Sequence, residues 1–85
     1  MELKDTIVLM QSSDYKDRFR AEYFQLVIRA QKLQAMLDKW EDGSLGFKPT
    51  CSKAVLYAQL SNMQCYRDVL KRRAELEGIE LSEEE

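Results

Sequence analysis

The residues able to do chemistry in this chain are its cations and its aromatic rings. Lys16, Arg18, Arg20, Arg29 and Lys32 lie in one breaker-free stretch and Arg67, Lys71, Arg72 and Arg73 in another, with Tyr15, Phe19, Tyr23 and Tyr66 interleaved. Guanidinium groups offer bidentate donors to a phosphate and aromatic planes offer a stacking surface to a base, so the mixture suits a nucleotide. The same residues have an ordinary structural use: charges at i, i+4 spacing cover a solvated helix face, and Tyr or Phe at seam spacing fill a core. Arg67 fits that use least. It interrupts an apolar helical series, where a charge must find a carboxylate, backbone carbonyls or a bound anion. Glu22 is an available carboxylate. Tyr15, Arg18, Phe19, Arg29, Tyr66, Arg67 and Arg73 are the candidate ligand-binding residues on these grounds.

Catalytic chemistry has little to work with. The chain contains no histidine, no glycine-rich phosphate loop and no Ser, Thr or Cys with a recognisable base beside it, so neither a catalytic residue nor a cofactor is expected. The pairs Asp14/Asp17 and Glu75/Glu77 fall at helix ends, where carboxylates serve as dipole partners and solubilising charge. Cys51 and Cys65 form no C-x-x-C, so a metal site and a disulfide framework are both unexpected, and a reduced cytosolic chain is the default. A formal charge of −2 argues against duplex nucleic acid as a partner. "MELKDTIVLM" has too short an apolar run for a signal peptide or a membrane span.

The elements that would position the cations are helices. From Asp14 to Trp40 there is no Gly or Pro, and the stretch is rich in strong helix formers. Ser12 or Ser13 is the expected N-cap, and Gly43, Gly46 and Pro49 stop the helix. Thr50 or Ser52 opens a second helix that runs to Glu77, with Gly78 as its C′ residue and "IELSEEE" as an acidic, frayed tail. Phe19, Tyr23, Leu26, Ala30, Leu33, Leu37 and Trp40 recur at 4-3 spacing, as do Leu56, Leu60, Met63, Leu70 and Ala74, with Arg67 at the missing step. The expected fold is all-α: residues 1–12 as an N-terminal segment, in which Leu3, Ile7 and Met10 continue the 4-3 spacing of a short helix, 13–81 as a long antiparallel helical hairpin, and 82–85 as an acidic tail.

A second apolar stripe runs along each helix, Phe24, Val27, Ile28 and Met36 on the first and Val55, Ala58, Cys65 and Val69 on the second. A hairpin of this size without disulfide or metal is usually stabilised by association, so these stripes are read as subunit interfaces of a homo-oligomeric helical bundle.

The span from Tyr15 to Leu81, through "DYKDRFRAEYFQLVIRAQKLQAML", "GSLGFKPTC" and "LYAQLSNMQCYRDVLKRRAELEGIEL", resembles a family of small helical-hairpin proteins of phages and prophages, including crAss-like phages. Gln59, Met63 and Arg67 form Q-x-x-x-M-x-x-x-R, similar to the second helix of the phage hairpin sponges that counter CBASS and Thoeris immunity. The resemblance implies a non-enzymatic oligomer that sequesters cyclic di- or trinucleotides or cyclic-ADP-ribose-like signals in the host bacterial cytoplasm. It also implies that Arg67 meets a nucleotide phosphate or a neighbouring subunit's pocket, that Met63 packs, and that Gln59 makes an interhelical hydrogen bond or reads a base edge. A helical adaptor that binds a host or phage protein through an exposed apolar stripe is the alternative.

Overall fold

The computed structural model describes residues 1–82, so residues 83–85 of the expected tail lie outside the described part. In chain order a 3-10 turn, Leu3–Thr6, leads into the short helix α1, Ile7–Met10, followed by α2, Tyr15–Asp42, and α3, Lys53–Glu77. The helix ends follow local chemistry. Asp14 caps α2, its carboxylate accepting from the Lys16 amide at 2.9 Å. Neither expected serine takes that place; Ser12 Oγ instead accepts from the Asp14 amide at 3.0 Å and donates to Asp17 Oδ2 at 2.8 Å. A carboxylate is the stronger acceptor at the positive end of a helix dipole, and the serine hydroxyl holds the next carboxylate in place. Gly43 ends α2 at φ +82°, a left-handed conformation that a side chain would disfavour by about 1–2 kcal/mol. Ser52 opens α3 by accepting from the Val55 amide at 3.3 Å, and Gly78 closes it at φ +68°.

α2 and α3 pack antiparallel along the expected seam. Near the chain termini Phe19 and Leu26 meet Leu70, Ala74 and Ile79, with Tyr23, Met63 and Leu81 packed around them. Toward the connecting loop Ala30 and Leu37 meet Leu60, flanked by Leu33, Met36, Trp40 and Leu56. Leu37 and Leu70 are fully buried, each worth roughly 1.5–3 kcal/mol of transfer free energy.

The structure departs from the sequence reading in three places. The end of the hairpin is docked instead of frayed through residue 81: Ile79 is buried, its amide donates to the Ala74 carbonyl at 2.9 Å, and Arg20 Nε donates to the Glu80 carbonyl at 2.7 Å. In the N-terminal segment the inward residues are Leu3, Thr6 and Leu9, while Ile7 and Met10 remain half exposed. Its first turn is 3-10, with three residues per turn, so the inward face repeats every third residue. The third departure follows from the second. Phe24 and Ile28, read as a subunit interface, are buried within the single chain. They lie on the side of α2 away from the seam, where the N-terminal segment packs. The corresponding stripe on α3 has no such cover, and Val55, Ala58, Cys65 and Val69 are exposed.

Candidate ligand cleft

With α3 on one side of α2 and α1 on the other, a cleft is left between them along one flank of α2. It has a volume of about 370 Å³ and is lined by Met10, Arg18, Ala21, Glu22, Gln25, Leu26, Arg29 and Tyr66, within the range of ordinary small-molecule sites. Four of these residues, Arg18, Glu22, Gln25 and Arg29, repeat at 4-3-4 spacing. They form a polar stripe beside the apolar seam, with the two guanidinium-bearing positions about 16 Å apart along the axis. Buried Ala21 and Leu26 supply an apolar floor. Tyr66 closes the α3 side, its hydroxyl donating to Glu22 Oε2. Gln25 Nε2 ties the opposite wall, donating to Thr6 Oγ1 at 3.0 Å and approaching Met10 Sδ at 2.7 Å.

The electrostatics of the cleft are unbalanced in a useful way. Arg18 Nη1 donates to the Ser12 carbonyl at 2.8 Å, a neutral partner that leaves its charge intact. Arg29 is exposed. Neither arginine has an ion-pair partner among the described residues. Two cations without ion pairs, set on either side of Glu22 above an apolar floor and beside a tyrosine, can receive a ligand with anionic ends and a flat middle.

The structure brings Arg18, Arg29 and Tyr66 together and sends the other sequence-derived candidates elsewhere. Tyr15, Phe19 and Arg73 meet at the open end of the hairpin. Arg73 Nη2 donates to Tyr15 Oη at 2.7 Å and its Nε to Glu77 Oε2 at 3.2 Å, while Tyr15 donates to Glu77 Oε1 at 2.9 Å. The guanidinium lies 5.0 Å from the centre of the Phe19 ring, which is itself core. The Glu77 hydrogen bond raises the Tyr15 phenol above its usual range and does the same to Arg73. Every strong group in that cluster is engaged by another. Gln59 is exposed and about two turns of α3 away from Tyr66.

Arg67 sits on the opposite flank of α2, in a smaller groove of about 160 Å³ with Val27, Ala30, Gln31, Gln34, Leu60 and Gln64. Its Nε and Nη2 are each 3.4 Å from Asp68 Oδ1, and its side chain is 35% exposed. The Arg67–Glu22 bridge is not formed, because the two residues face opposite flanks and Tyr66 occupies the carboxylate. A charge is tolerated in the seam because the aliphatic stem covers apolar surface while the head reaches water and its neighbour.

Of the cleft residues that the sequence reading did not select, Glu22 and Gln25 had a detectable signal in the 4-3-4 stripe with Arg18 and Arg29. Met10 had none, since its place depends on how the N-terminal segment folds back. Among the described residues no group of acidic, cysteine or histidine side chains could hold a metal ion, and no helix is long and apolar enough to cross a membrane.

No curated protein and no solved structure matches the chain. A family model does match, over residues 13–76, which takes in all of α2 and nearly all of α3, and with them the described lining residues of the cleft other than Met10. On that match the chain belongs to the Sequestin family.

Proposed function

We propose that this protein is a phage-encoded, non-enzymatic sponge that binds and sequesters cyclic nucleotide immune signals in the bacterial host. The observation that supports the reading is the pair Arg18 and Arg29, without ion-pair partners among the described residues and set at either end of a cleft with an apolar floor and Tyr66 at its wall. The family name denotes a sequestering protein, which is in keeping with capture instead of turnover. Phosphates of a cyclic di- or trinucleotide, or of a cyclic-ADP-ribose-like molecule, would meet the guanidinium groups, and a base would lie against Tyr66 and Leu26. With no histidine in the chain, no group in the cleft is suited to shuttle a proton near neutral pH, so the bound ligand is released unchanged.

The test is a calorimetric titration with a panel of cyclic nucleotides, followed by heat denaturation and chromatography of the recovered ligand. Saturable binding with intact ligand recovered is expected; linear nucleotide in the supernatant would reveal an enzyme. Ligand at 100 times its Kd should also stabilise the fold by about 2.7 kcal/mol.

The sponge acts as a homo-oligomer assembled through α3, because Val55 and Val69, 57% and 55% exposed, share one uncovered stripe with Cys65. The adaptor reading would use the same stripe for a different protein. Sedimentation equilibrium of the purified chain separates them: self-association at micromolar concentration supports the oligomer, and a monomer leaves the stripe to a foreign partner.

A further inference from the structure

The orientation of one amide in the cleft is dictated from outside the span that the family match covers. Thr6 is fully buried, and its hydroxyl donates its only proton to the Leu3 carbonyl at 2.7 Å. Toward Gln25 that oxygen can only accept, so the group facing it at 3.0 Å must be the amide nitrogen. The same nitrogen lies 2.7 Å from Met10 Sδ. With its nitrogen committed to the N-terminal segment, Gln25 is left with its carbonyl oxygen to offer a ligand in the cleft it lines. Glu22 beside it accepts from Tyr66 through Oε2 and retains Oε1, and an ionised carboxylate can do nothing but accept. The cleft is therefore acceptor-only at its centre and donor-only at the arginines on either side.

We propose that Glu22 and Gln25 read an exocyclic amine on the bound nucleobase, and that Thr6 is the positioning residue that holds the Gln25 amide in its reading orientation. This inference rests on the nucleotide reading above and names the feature by which that ligand is chosen. An amino group such as that of adenine carries two N–H donors, one for each acceptor. A keto oxygen at the same place would set lone pairs against lone pairs and strand both acceptors when water is displaced. Sites that read a polar group in this way reject the mismatched analogue by about tenfold or more.

The experiment titrates the full chain with cyclic di-AMP, cyclic GMP–AMP and cyclic ADP-ribose, each beside the counterpart in which inosine replaces adenosine. The ligand that binds is expected to lose about tenfold or more in affinity on deamination. Thr6→Val keeps the shape of the buried side chain but removes the oxygen acceptor, leaving only the weakly accepting Met10 sulfur to hold the amide nitrogen, so the amino-to-keto ratio should fall toward one. Because that variant touches a buried position, Glu22→Gln at an exposed position provides a second reading: it adds a donor and should move the preference toward the inosine ligand. Equal binding of amino and keto partners by the unsubstituted protein would overturn the inference while leaving the sponge intact. An unchanged ratio in a folded Thr6→Val protein would remove Thr6 from the reading. Absence of binding to every ligand would remove the sponge itself, and the base selection with it.

Discussion

The Arg73 cluster and the Arg18–Arg29 cleft are built from the same materials, guanidinium groups beside aromatic rings on the same two helices, yet they present opposite chemistry. At the open end of the hairpin Arg73 is held by Glu77 and Tyr15 and lies over Phe19, so its charge is paired inside the protein. In the cleft the one carboxylate among the described lining residues, Glu22, is turned to Tyr66, and neither arginine has an ion-pair partner among the described residues. A third groove, between Ala74 and Leu81, equals the cleft in volume at about 370 Å³ but includes Glu75, already paired with Arg72, and Glu80 in its wall, and no cationic side chain among its described lining residues. Residue type and cavity size are thus insufficient to mark a site. What distinguishes one is whether the partners of each polar group are already inside the fold.

The comparison can be broken most forcefully at Phe19. Phe19→Ala removes a buried ring from beneath Arg73 and should cost about 3–5 kcal/mol of stability, while the remaining folded protein binds nucleotide as before. Chemical denaturation and calorimetry on one preparation measure both, and a selective loss of affinity would make the open end part of the site. Next in size, Arg18→Ala and Arg29→Ala should each weaken binding by about 2 kcal/mol or more with little change in Tm. Were both variants to bind like the unsubstituted protein, the cleft would be the wrong place to look.

Arg67→Ala sharpens the contrast from the opposite flank of α2. Loss of its aliphatic stem from the seam should cost about 1 kcal/mol of stability, and affinity should be unchanged because its groove is separate from the cleft. A large drop in affinity would show that the bound ligand, or a second subunit, reaches around the hairpin. The smallest effect is electrostatic. The phenol of Tyr15 titrates above its usual range because its neutral form donates to Glu77. Its contribution to stability is therefore complete below the unfolded value near 10 and is lost as pH rises through the folded value. Tyr15→Phe should flatten that alkaline limb of the stability curve, measured by denaturation at a series of pH values, and leave the neutral-pH affinity unaltered.

The sequence by itself determined the two long helices, their capping glycines and the seam between them, because periodicity, Gly43 and Gly78 act through contacts a few residues apart. It also offered a set of candidate ligand-binding residues, of which Arg18, Arg29 and Tyr66 line one cleft. It placed Arg67 in an apolar series but not on a flank, since a seam position can lean either way until its partner helix is docked. The fate of the Phe24–Ile28 stripe was equally undetermined. An apolar face needs a cover, but whether the cover is a second subunit or the chain's own first ten residues depends on how that short segment folds back. Only the tertiary structure decided that the segment returns, that Thr6 is buried against Gln25, and that Met10 becomes a wall of the cleft. Those outcomes depend on contacts between residues distant in sequence, whose competing alternatives are nearly equal in local propensity and are separated by packing alone.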